Sequence, residues 1–567
     1  MTAPRPLALG TSALAAVLLL AGCSGCGSAA PQGAAPDAGP DAGPDAGLDA
    51  GADPAACEAS LDAAWDAGAP STGLASPSSA ASYDRVIGSL MSDFGVPGGA
   101  VAVAYGGKLV FAKGYGWADR DGRQPAHADQ LFRIASVSKQ LTAAAVLRLV
   151  EAGKLSLDDK AFDLLAALQP APGKTRNAAL SAITVRHLLT HSGGWNRDST
   201  FDPMFDSAQV AATLGKPGPA SCTDVIRFML DKPLQYAPGT TFCYSNFGYC
   251  VLGRVIEKRA GTGYAAQLAA DLLGPLGAGD MAIGRSLLPQ RADDEVLYYD
   301  YPGAPSAQSV FPGGDAVPWP YGGFNIEAMD SHGAWIASPI DLLRLQTGID
   351  GRRGTPLLSA ASVTEMVKNP AGVTVGCNAD GSTSALDPKY WYGFGWSVNS
   401  YGNWWHNGSL PGTATEVVRA GNGHGWAAVF NTRPQDANGF ANRLDNDLWT
   451  ALNGAAPFLS QDLFDQFGPF SAWMPEADFA AQVAAAQAAG SYPVRAEGRV
   501  SGGVDQFRAR FAPVHAAVVQ SAHGMDCPAY RTMDAAQAGL GRGRVSIQWY
   551  RDANGRRRYQ ATWGKYQ

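Results

Sequence analysis

The stretch FRIASVSKQLTAAAVLRLV, residues 132–150, begins with two serines and a lysine and then becomes almost entirely apolar or small. This composition predicts a helix buried in the core, with Ser136, Ser138 and Lys139 at its N-terminal end. On a helix, residues three apart share a face and adjacent residues do not. Ser136 is therefore expected to neighbour Lys139, whereas Ser138 points elsewhere.

The pair formed by Ser136 and Lys139 suggests nucleophilic chemistry. A lysine in an apolar pocket tends to lose its proton, because burial disfavours the charged form, and the amine can then act as a base. Ser136 also lies at a helix N-terminus, where free N–H groups and the helix dipole stabilise negative charge. The S-x-x-K pattern alone is common, and a helix cap beside a surface lysine is the alternative interpretation.

Two further motifs follow along the chain. Tyr244 and Asn246 form Y-x-N before a predicted helix, and His406 and Gly408 form H-x-G on a predicted strand. With TVRHLLTHSGG at residues 184–194, these motifs resemble the serine β-lactamase-related family over residues 82–452. That family includes D-alanyl-D-alanine carboxypeptidases, D-aminopeptidases, class C β-lactamases and esterases.

The resemblance implies a serine hydrolase that needs no cofactor, in which Ser136 attacks a carbonyl and forms an acyl-enzyme. Lys139 and Tyr244 would handle the proton together. Positive charge on Lys139 and on His406 would lower the pKa of the Tyr244 phenol enough for it to act as a base.

The same resemblance implies roles in substrate binding. Asn246 would hydrogen-bond Lys139 and the substrate amide. The N–H groups of Ser136 and Ser409 would form an oxyanion hole. Gly408 would let the strand approach the substrate closely, and Trp195 would line the cleft.

The substrate class is less defined by the sequence. β-Lactamases of the family usually carry lysine where this chain has His406, and histidine anchors a substrate carboxylate less reliably. A peptidase or amidase acting on cell-envelope or glycine-rich peptides is therefore favoured, with a carboxylesterase as the alternative and a β-lactamase disfavoured. The competing non-enzymatic interpretation is a catalytically silent peptidoglycan-binding lipoprotein.

No metal site is expected. His187 and His191 are spaced i, i+4 as in zinc helices, but Leu188 stands where a metalloprotease carries its glutamate. Helix capping or core hydrogen bonding is the preferred interpretation for both histidines.

Gly106 and Gly107 predict a hairpin turn between two strands, and residues 246–260 are predicted to form a helix that Gly261 ends. Strands predicted at both ends of a long helical middle indicate an α+β fold. We expect an antiparallel sheet flanked by helices, of the β-lactamase/transpeptidase type, over residues 81–457. Residues 458–567 are predicted to form a small C-terminal domain, because AAQAAG and FRARF at residues 485–490 and 507–511 recur as AAQAG and YQATW at residues 535–539 and 559–563. These two helix-plus-hairpin copies resemble the repeats of polyglycine hydrolases.

Charge and leader sequence indicate a cell-envelope protein. The net charge of −7 argues against nucleic-acid binding, whereas residues 491–567 hold twelve Lys and Arg against five acidic residues and suit an anionic envelope polymer such as peptidoglycan. Residues 1–22 read as a lipoprotein signal peptide that ends at Cys23, the expected lipidation site. Residues 23–80, rich in Pro, Ala, Gly and Asp, are predicted to be a disordered linker. The resulting expectation is a lipid-anchored protein facing periplasm or exterior, on the outer membrane if the cell has one.

The eight cysteines fit an oxidising compartment. Cys222, Cys243 and Cys250 lie close together and are expected to supply one disulfide, with the pairing left open.

Overall fold

A computed structural model of the chain describes residues 53–515 and 518–565. Within these ranges the α-helices are α1 (Pro54–Ala67), α2 (Pro77–Phe94), α3 (Ser138–Glu151), α4 (Ala161–Leu164), α5 (Val185–Leu189), α6 (Ser207–Thr213), α7 (Cys222–Met229), α8 (Asn246–Ala260), α9 (Tyr264–Leu268), α10 (Gly274–Leu276), α11 (Pro339–Ile349), α12 (Ala360–Met366), α13 (Ala437–Gly454), α14 (Glu476–Ala488) and α15 (Cys527–Gly539). The strands are β1 (Thr72–Leu74), β2 (Gly98–Tyr105), β3 (Lys108–Asp119), β4 (Gln124–Pro125), β5 (Phe132–Arg133), β6 (Thr241–Phe242), β7 (Ala282–Ile283), β8 (Ala307–Gln308), β9 (Ala316–Val317), β10 (Trp335–Ala337), β11 (Val375–Cys377), β12 (Thr383–Ala385), β13 (Tyr390–Tyr392), β14 (Ser397–Asn399), β15 (Trp404–Leu410), β16 (Thr413–Arg419), β17 (His424–Phe430), β18 (Met474–Pro475), β19 (Ser491–Ser501), β20 (Val504–Pro513), β21 (Val518–Met525), β22 (Gly543–Arg551) and β23 (Arg557–Lys565).

A nine-stranded antiparallel sheet forms the centre of the molecule. Its strand order is β1-β3-β2-β17-β16-β15-β14-β13, with β4 beside β3. Helices α2 and α13 pack on one face, and α3, α8 and α11 belong to the core cluster on the other. The predicted α+β fold with an antiparallel sheet flanked by helices is confirmed.

The sequence of strand β2 is a continuous apolar run because both faces of the sheet are covered at this strand. Val101 and Val103 belong to the cluster under α2 and α13, whereas Ala102 and Ala104 belong to the cluster on the opposite face. Successive side chains of a strand point to opposite faces, so both sets must be apolar when helices cover both sides. The turn predicted after β2 is present, with Gly106 and Gly107 at φ of 56° and 84°.

The linker predicted for residues 23–80 is wrong from Pro54 onward, because that part of the chain is folded. Cys57, Leu61 and Trp65 recur every four residues along α1 and are all buried. Cys57 forms a disulfide with Cys527 in α15. The Ala- and Asp-rich composition concealed this apolar stripe, which the C-terminal segment covers.

The C-terminal segment contains the same order of elements twice. Strand β18, helix α14 and strands β19 and β20 are followed by β21, α15, β22 and β23, and the sheets have the orders β18-β20-β19 and β21-β23-β22. Phe479 of α14 stacks on Phe507 at 5.5 Å between ring centroids, and Tyr530 of α15 stacks on Tyr559 at 5.0 Å. The boundary at residue 458 remains a prediction.

The C-terminal segment also shares a core with the rest of the chain. Tyr492 and Val494 belong to the same buried cluster as α3 and α8. Arg495, nearly inaccessible to solvent, pairs with Asp129 at 2.9 Å and with Asp294 at 2.5 Å. Many of the basic residues of this segment form ion pairs with acidic residues of the same chain. Besides Arg495, the arginines in such pairs are Arg508, Arg510, Arg544, Arg557 and Arg558.

Three disulfides join the described residues. Cys222 pairs with Cys250, as one of the pairings left open by the sequence. Cys243 pairs instead with Cys377, which is distant in sequence. The predicted signal peptide, and Cys23 with its lipidation, lie outside the described residues. Among the residues described, no helix is long and apolar enough to cross a membrane.

Candidate active site

Ser136 lies in a 3-10 turn, Ala135–Val137, between β5 and α3. Ala135 has a φ of 47°, a left-handed conformation that is costly for a residue with a Cβ. Ser136 is half-buried, whereas Ser138 is fully buried and its Oγ accepts a hydrogen bond from the Trp335 N–H at 3.3 Å. The two serines are thus separated by structure, and Ser136 alone faces Lys139.

Lys139 is completely buried beneath Ser136. Its Nζ donates to Asn246 Oδ1 at 2.9 Å and to the carbonyl oxygen of His332 at 3.0 Å, and it lies 3.0 Å from Ser136 Oγ. Burial lowers the pKa of Lys139 well below its usual range, and the nearby charge of Arg197 lowers it further. The neutral amine is therefore the favoured form, and a neutral amine can accept a proton from the serine hydroxyl.

Tyr244 differs from its predicted state. Burial raises the pKa of this phenol far above its usual value, and the neighbouring Ser136 hydroxyl lowers it only in part. The pKa of Tyr244 is thus raised and not lowered as expected, because burial outweighs the positive charge of Arg197 and because Lys139 itself favours its neutral form. Tyr244 is a neutral phenol, which can donate or relay a proton.

His406 is also neutral. Its Nδ1 lies 2.7 Å from the Asn407 carbonyl oxygen, which only accepts, so Nδ1 carries the proton. Its Nε2 then accepts from the Tyr392 hydroxyl at 2.9 Å. Burial lowers the pKa of His406 to about 3, and Lys139 lowers it as well. The predicted positive charge on His406 is therefore absent, and both ring nitrogens are already bonded.

Gly408 permits the close approach of β15 to the nucleophile. A Cβ at this position would lie 2.3 Å from the Ile134 carbonyl oxygen and 3.2 Å from the Ala135 Cβ. The contact made by Gly408 is thus with the segment before Ser136, whereas the sequence had suggested the substrate. Strand β16 pairs with β15 along its whole length, whereas β14 pairs only with Trp404 and Trp405. From His406 onward, the side of β15 that faces away from β16 therefore has no strand partner among the described residues. Ser409 lies on this stretch, half-buried.

Asn246 connects Lys139 to a further acidic group. Its Oδ1 accepts from Lys139, and its Nδ2 donates to Asp202 Oδ2 at 2.7 Å. Asn246 is the first residue of α8, where the Ser245 side chain caps the helix. The Y-x-N motif is therefore held at a capped helix N-terminus against the buried lysine.

A cavity of about 200 Å³ adjoins the site on the Asn246 side. Trp195, predicted to line the cleft, lines this cavity and packs edge-on against Phe247 at 4.9 Å between ring centroids. The surface of the cavity is mostly apolar. Its apolar lining residues are Trp195, Phe201, Pro203, Met229, Pro233 and Phe247, and its polar lining residues are Arg197, Thr200, Asp202, Lys232, Gln235, Ser245 and Asn246.

The histidines considered as metal ligands make hydrogen bonds instead. His187 Nδ1 accepts from the Thr184 N–H and caps α5, and His191 Nδ1 accepts from the Ser245 N–H at 3.1 Å. No cluster of three metal-ligating side chains occurs among the described residues.

Several residues near Ser136 were not identified from the sequence. His332, Tyr392, Arg197 and Asp202 all contact the S-x-x-K, Y-x-N or H-x-G groups. None belongs to a motif of its own, and a contact between residues far apart in sequence has no local signal.

Comparison with known proteins identifies the family. The family model described as Beta-lactamase matches residues 83–448, more than half of the chain. A probable fimbrial assembly protein FimD, serogroup H1, of Dichelobacter nodosus is 31% identical over 326 residues, covering 56% of this chain and 70% of that protein. Esterase EstB of Burkholderia gladioli is 32% identical over 212 residues, covering 36% of this chain and 52% of the esterase. The match thus spans only about half the length of this second relative.

The fold comparison agrees. EstCE1, a hydrolase with promiscuous acyltransferase activity, superimposes with a TM-score of 0.51 at 21% identity, covering 66% of this chain and 98% of that one. The buried lysine beside Ser136, the antiparallel sheet and the family match all lead to one conclusion. The chain belongs to the Beta-lactamase family and is a serine hydrolase of the β-lactamase fold.

Proposed function

We propose that this protein is an amidase or peptidase that forms an acyl-enzyme on Ser136 and acts on substrates without a carboxylate next to the scissile bond. The observation that carries the proposal is the fully buried amine of Lys139, 3.0 Å from Ser136 Oγ. A neutral amine at hydrogen-bond distance is a competent general base for a serine.

In the acylation step, Ser136 Oγ forms a bond to the substrate carbonyl carbon while its proton passes to Lys139 Nζ. The tetrahedral intermediate then collapses with cleavage of the scissile C–N bond. The neutral Tyr244 phenol gives its proton to the departing amine nitrogen and is reprotonated from the Lys139 ammonium. Water attacks the ester carbonyl in deacylation, and the same groups return its proton to Ser136.

The negative charge of the tetrahedral intermediate needs hydrogen-bond donors. The Ser136 N–H has no hydrogen-bond acceptor among the described residues. Together with the N–H of Ser409 on β15, it would form the oxyanion hole.

The substrate class follows from charge and shape. A neutral His406 with both nitrogens bonded gives a substrate carboxylate no cation on β15, which disfavours β-lactams and C-terminal carboxylates. The open edge of β15 is suited to pairing with a peptide backbone. The apolar cavity beside Asn246 favours a large apolar side chain on the acyl portion of the substrate over glycine.

A carboxylesterase is the second candidate. The similarity to Esterase EstB supports it, because the same acyl-enzyme chemistry cleaves esters. An ester has no N–H to pair with the edge of β15. A peptide backbone in the substrate should therefore strengthen binding to an amidase or peptidase more than binding to a carboxylesterase.

The location of the enzyme is part of the proposal. Lipidation of Cys23 would place the enzyme at the cell envelope, and the C-terminal segment would contact an anionic polymer through basic residues outside the internal ion pairs. Metabolic labelling with palmitate tests the anchor, since wild type should take up label and Cys23→Ser should not.

A substrate panel tests the activity. Purified protein is incubated with amides and peptides that carry phenylalanine or glycine on the acyl side, with p-nitrophenyl esters, and with nitrocefin. Faster turnover of the phenylalanine amides supports the proposal, and preferential ester cleavage supports the esterase. Absence of both turnover and a covalent acyl-enzyme by mass spectrometry would instead indicate a catalytically silent binding protein.

A further inference from the structure

The Lys139 amine and the Arg197 guanidinium both lie against the ring of Tyr244. Lys139 Nζ is 4.7 Å from the ring centroid, and the Arg197 guanidinium is 4.8 Å from it. Arg197 is therefore close enough to influence the protonation of the buried Lys139. It stands in the loop after α5, and its side chain is only 19% exposed.

Asp202 links Arg197 to the lysine by a second route. Its Oδ2 lies 3.2 Å from Arg197 Nη1 and accepts from Asn246 Nδ2 at 2.7 Å. The carboxylate is held in place because its Oδ1 also accepts the Met204 N–H at 3.1 Å. An ionised carboxylate only accepts, so it fixes the Asn246 amide with its oxygen toward Lys139.

We propose that Arg197 and Asp202 form a positioning pair for the acylation base: Asp202 orients the Asn246 amide toward Lys139, and the opposite charges of the pair set how readily Lys139 takes up a proton. The inference deepens the proposed function and rests on it, because it assigns no new reaction. It adds two residues that act through Lys139 without touching the reacting atoms.

The other groups around Lys139 carry no charge near neutral pH. They are the hydroxyl of Ser136, the phenols of Tyr244 and Tyr249, whose pKa values are raised by burial, and the rings of His191, His332 and His406, whose pKa values are lowered by burial. Arg197 lowers the pKa of Lys139 and Asp202 raises it, and these are the two charged side chains that act on it within the described residues. Burial lowers the pKa of Lys139 most, and the balance between the two charges shifts the lower pH limit of acylation from there.

The test is the pH dependence of Ser136 acylation by a fluorophosphonate, from about pH 4 to about pH 10. Acylation requires neutral Lys139, so the rate rises with pH with a midpoint at the pKa of that lysine. Arg197→Gln removes a cation and should move the midpoint up by roughly one pH unit, whereas Asp202→Asn removes an anion and should move it down by a similar amount. The double variant should return the midpoint close to wild type.

Arg186→Gln is the matched control. It removes another partly exposed arginine from an ion pair, here with Glu365, and the charge of Arg186 is not among those that shift the pKa of Lys139. Its midpoint should equal that of wild type. The inference would be overturned if the acylation midpoints of Arg197→Gln and Asp202→Asn shifted in the same direction, or if neither shifted. Structural damage alone gives no reason for midpoint shifts of opposite sign. Failure of wild type itself to be acylated would refute the proposed function instead.

Discussion

Replacing Gly408 by alanine tests how β15 and the nucleophile are held together. The added Cβ would stand 2.3 Å from the Ile134 carbonyl oxygen, where ordinary contacts begin at 3.4 Å. Both partners are backbone, so β15 and the turn that carries Ser136 must separate by about 1 Å. A displacement of that size at a catalytic group costs about 10²-fold in rate, or about 2.7 kcal/mol.

The assay is kcat/KM on the best substrate of the panel, together with the rate of fluorophosphonate labelling and the Tm of each variant. Gly88→Ala is the control, because Gly88 is an exposed position inside α2 with open space around its Cβ. It should keep wild-type kinetics and gain up to about 1 kcal/mol of stability. A Gly408→Ala enzyme with wild-type kcat/KM would refute the reasoning that this glycine sets the position of Ser136.

Three further predictions concern stability. Burial raises the pKa of Glu416, and the neighbouring Asp445 raises it further, so folding favours the protonated carboxyl. As the pH rises from the unfolded-state pKa to the folded-state pKa, wild type should lose about 1.4 kcal/mol of folding stability per pH unit. Glu416→Gln should remove that loss, and parallel Tm-against-pH curves for the two proteins would contradict the prediction. Tyr392→Phe removes the hydroxyl that donates to His406 Nε2 and should lower the free energy of unfolding in urea by about 1–3 kcal/mol. An unchanged unfolding midpoint would argue against this hydrogen bond. Cys57→Ser should lower the free energy of unfolding by about 2–5 kcal/mol and speed proteolysis of α1, because the disulfide to Cys527 holds that helix against α15. Equal proteolysis rates for variant and wild type would show that packing alone holds α1 in place.

Local patterns in the sequence were sufficient for much of the fold. Helix α8 has the predicted bounds of residues 246–260, and the glycine turn after β2 lies where it was expected. These elements carry their own stop signals and apolar periodicity, so neighbouring residues determine them. Helix α1 was missed because its stripe of Cys57, Leu61 and Trp65 gains its stability from a segment nearly the whole chain length away.

The sequence by itself determined which side chains are candidates for catalysis, since motif spacing and helix geometry single out Ser136, Lys139, Tyr244 and His406. Only the tertiary structure decided their charge states. Burial lowers the pKa values of Lys139 and His406 and raises that of Tyr244, which reverses the expected role of the phenol. Arg197 likewise entered the site only through folding. The physical reason is that the free energy of a buried charge depends on the groups packed around it, and those groups come from distant parts of the chain.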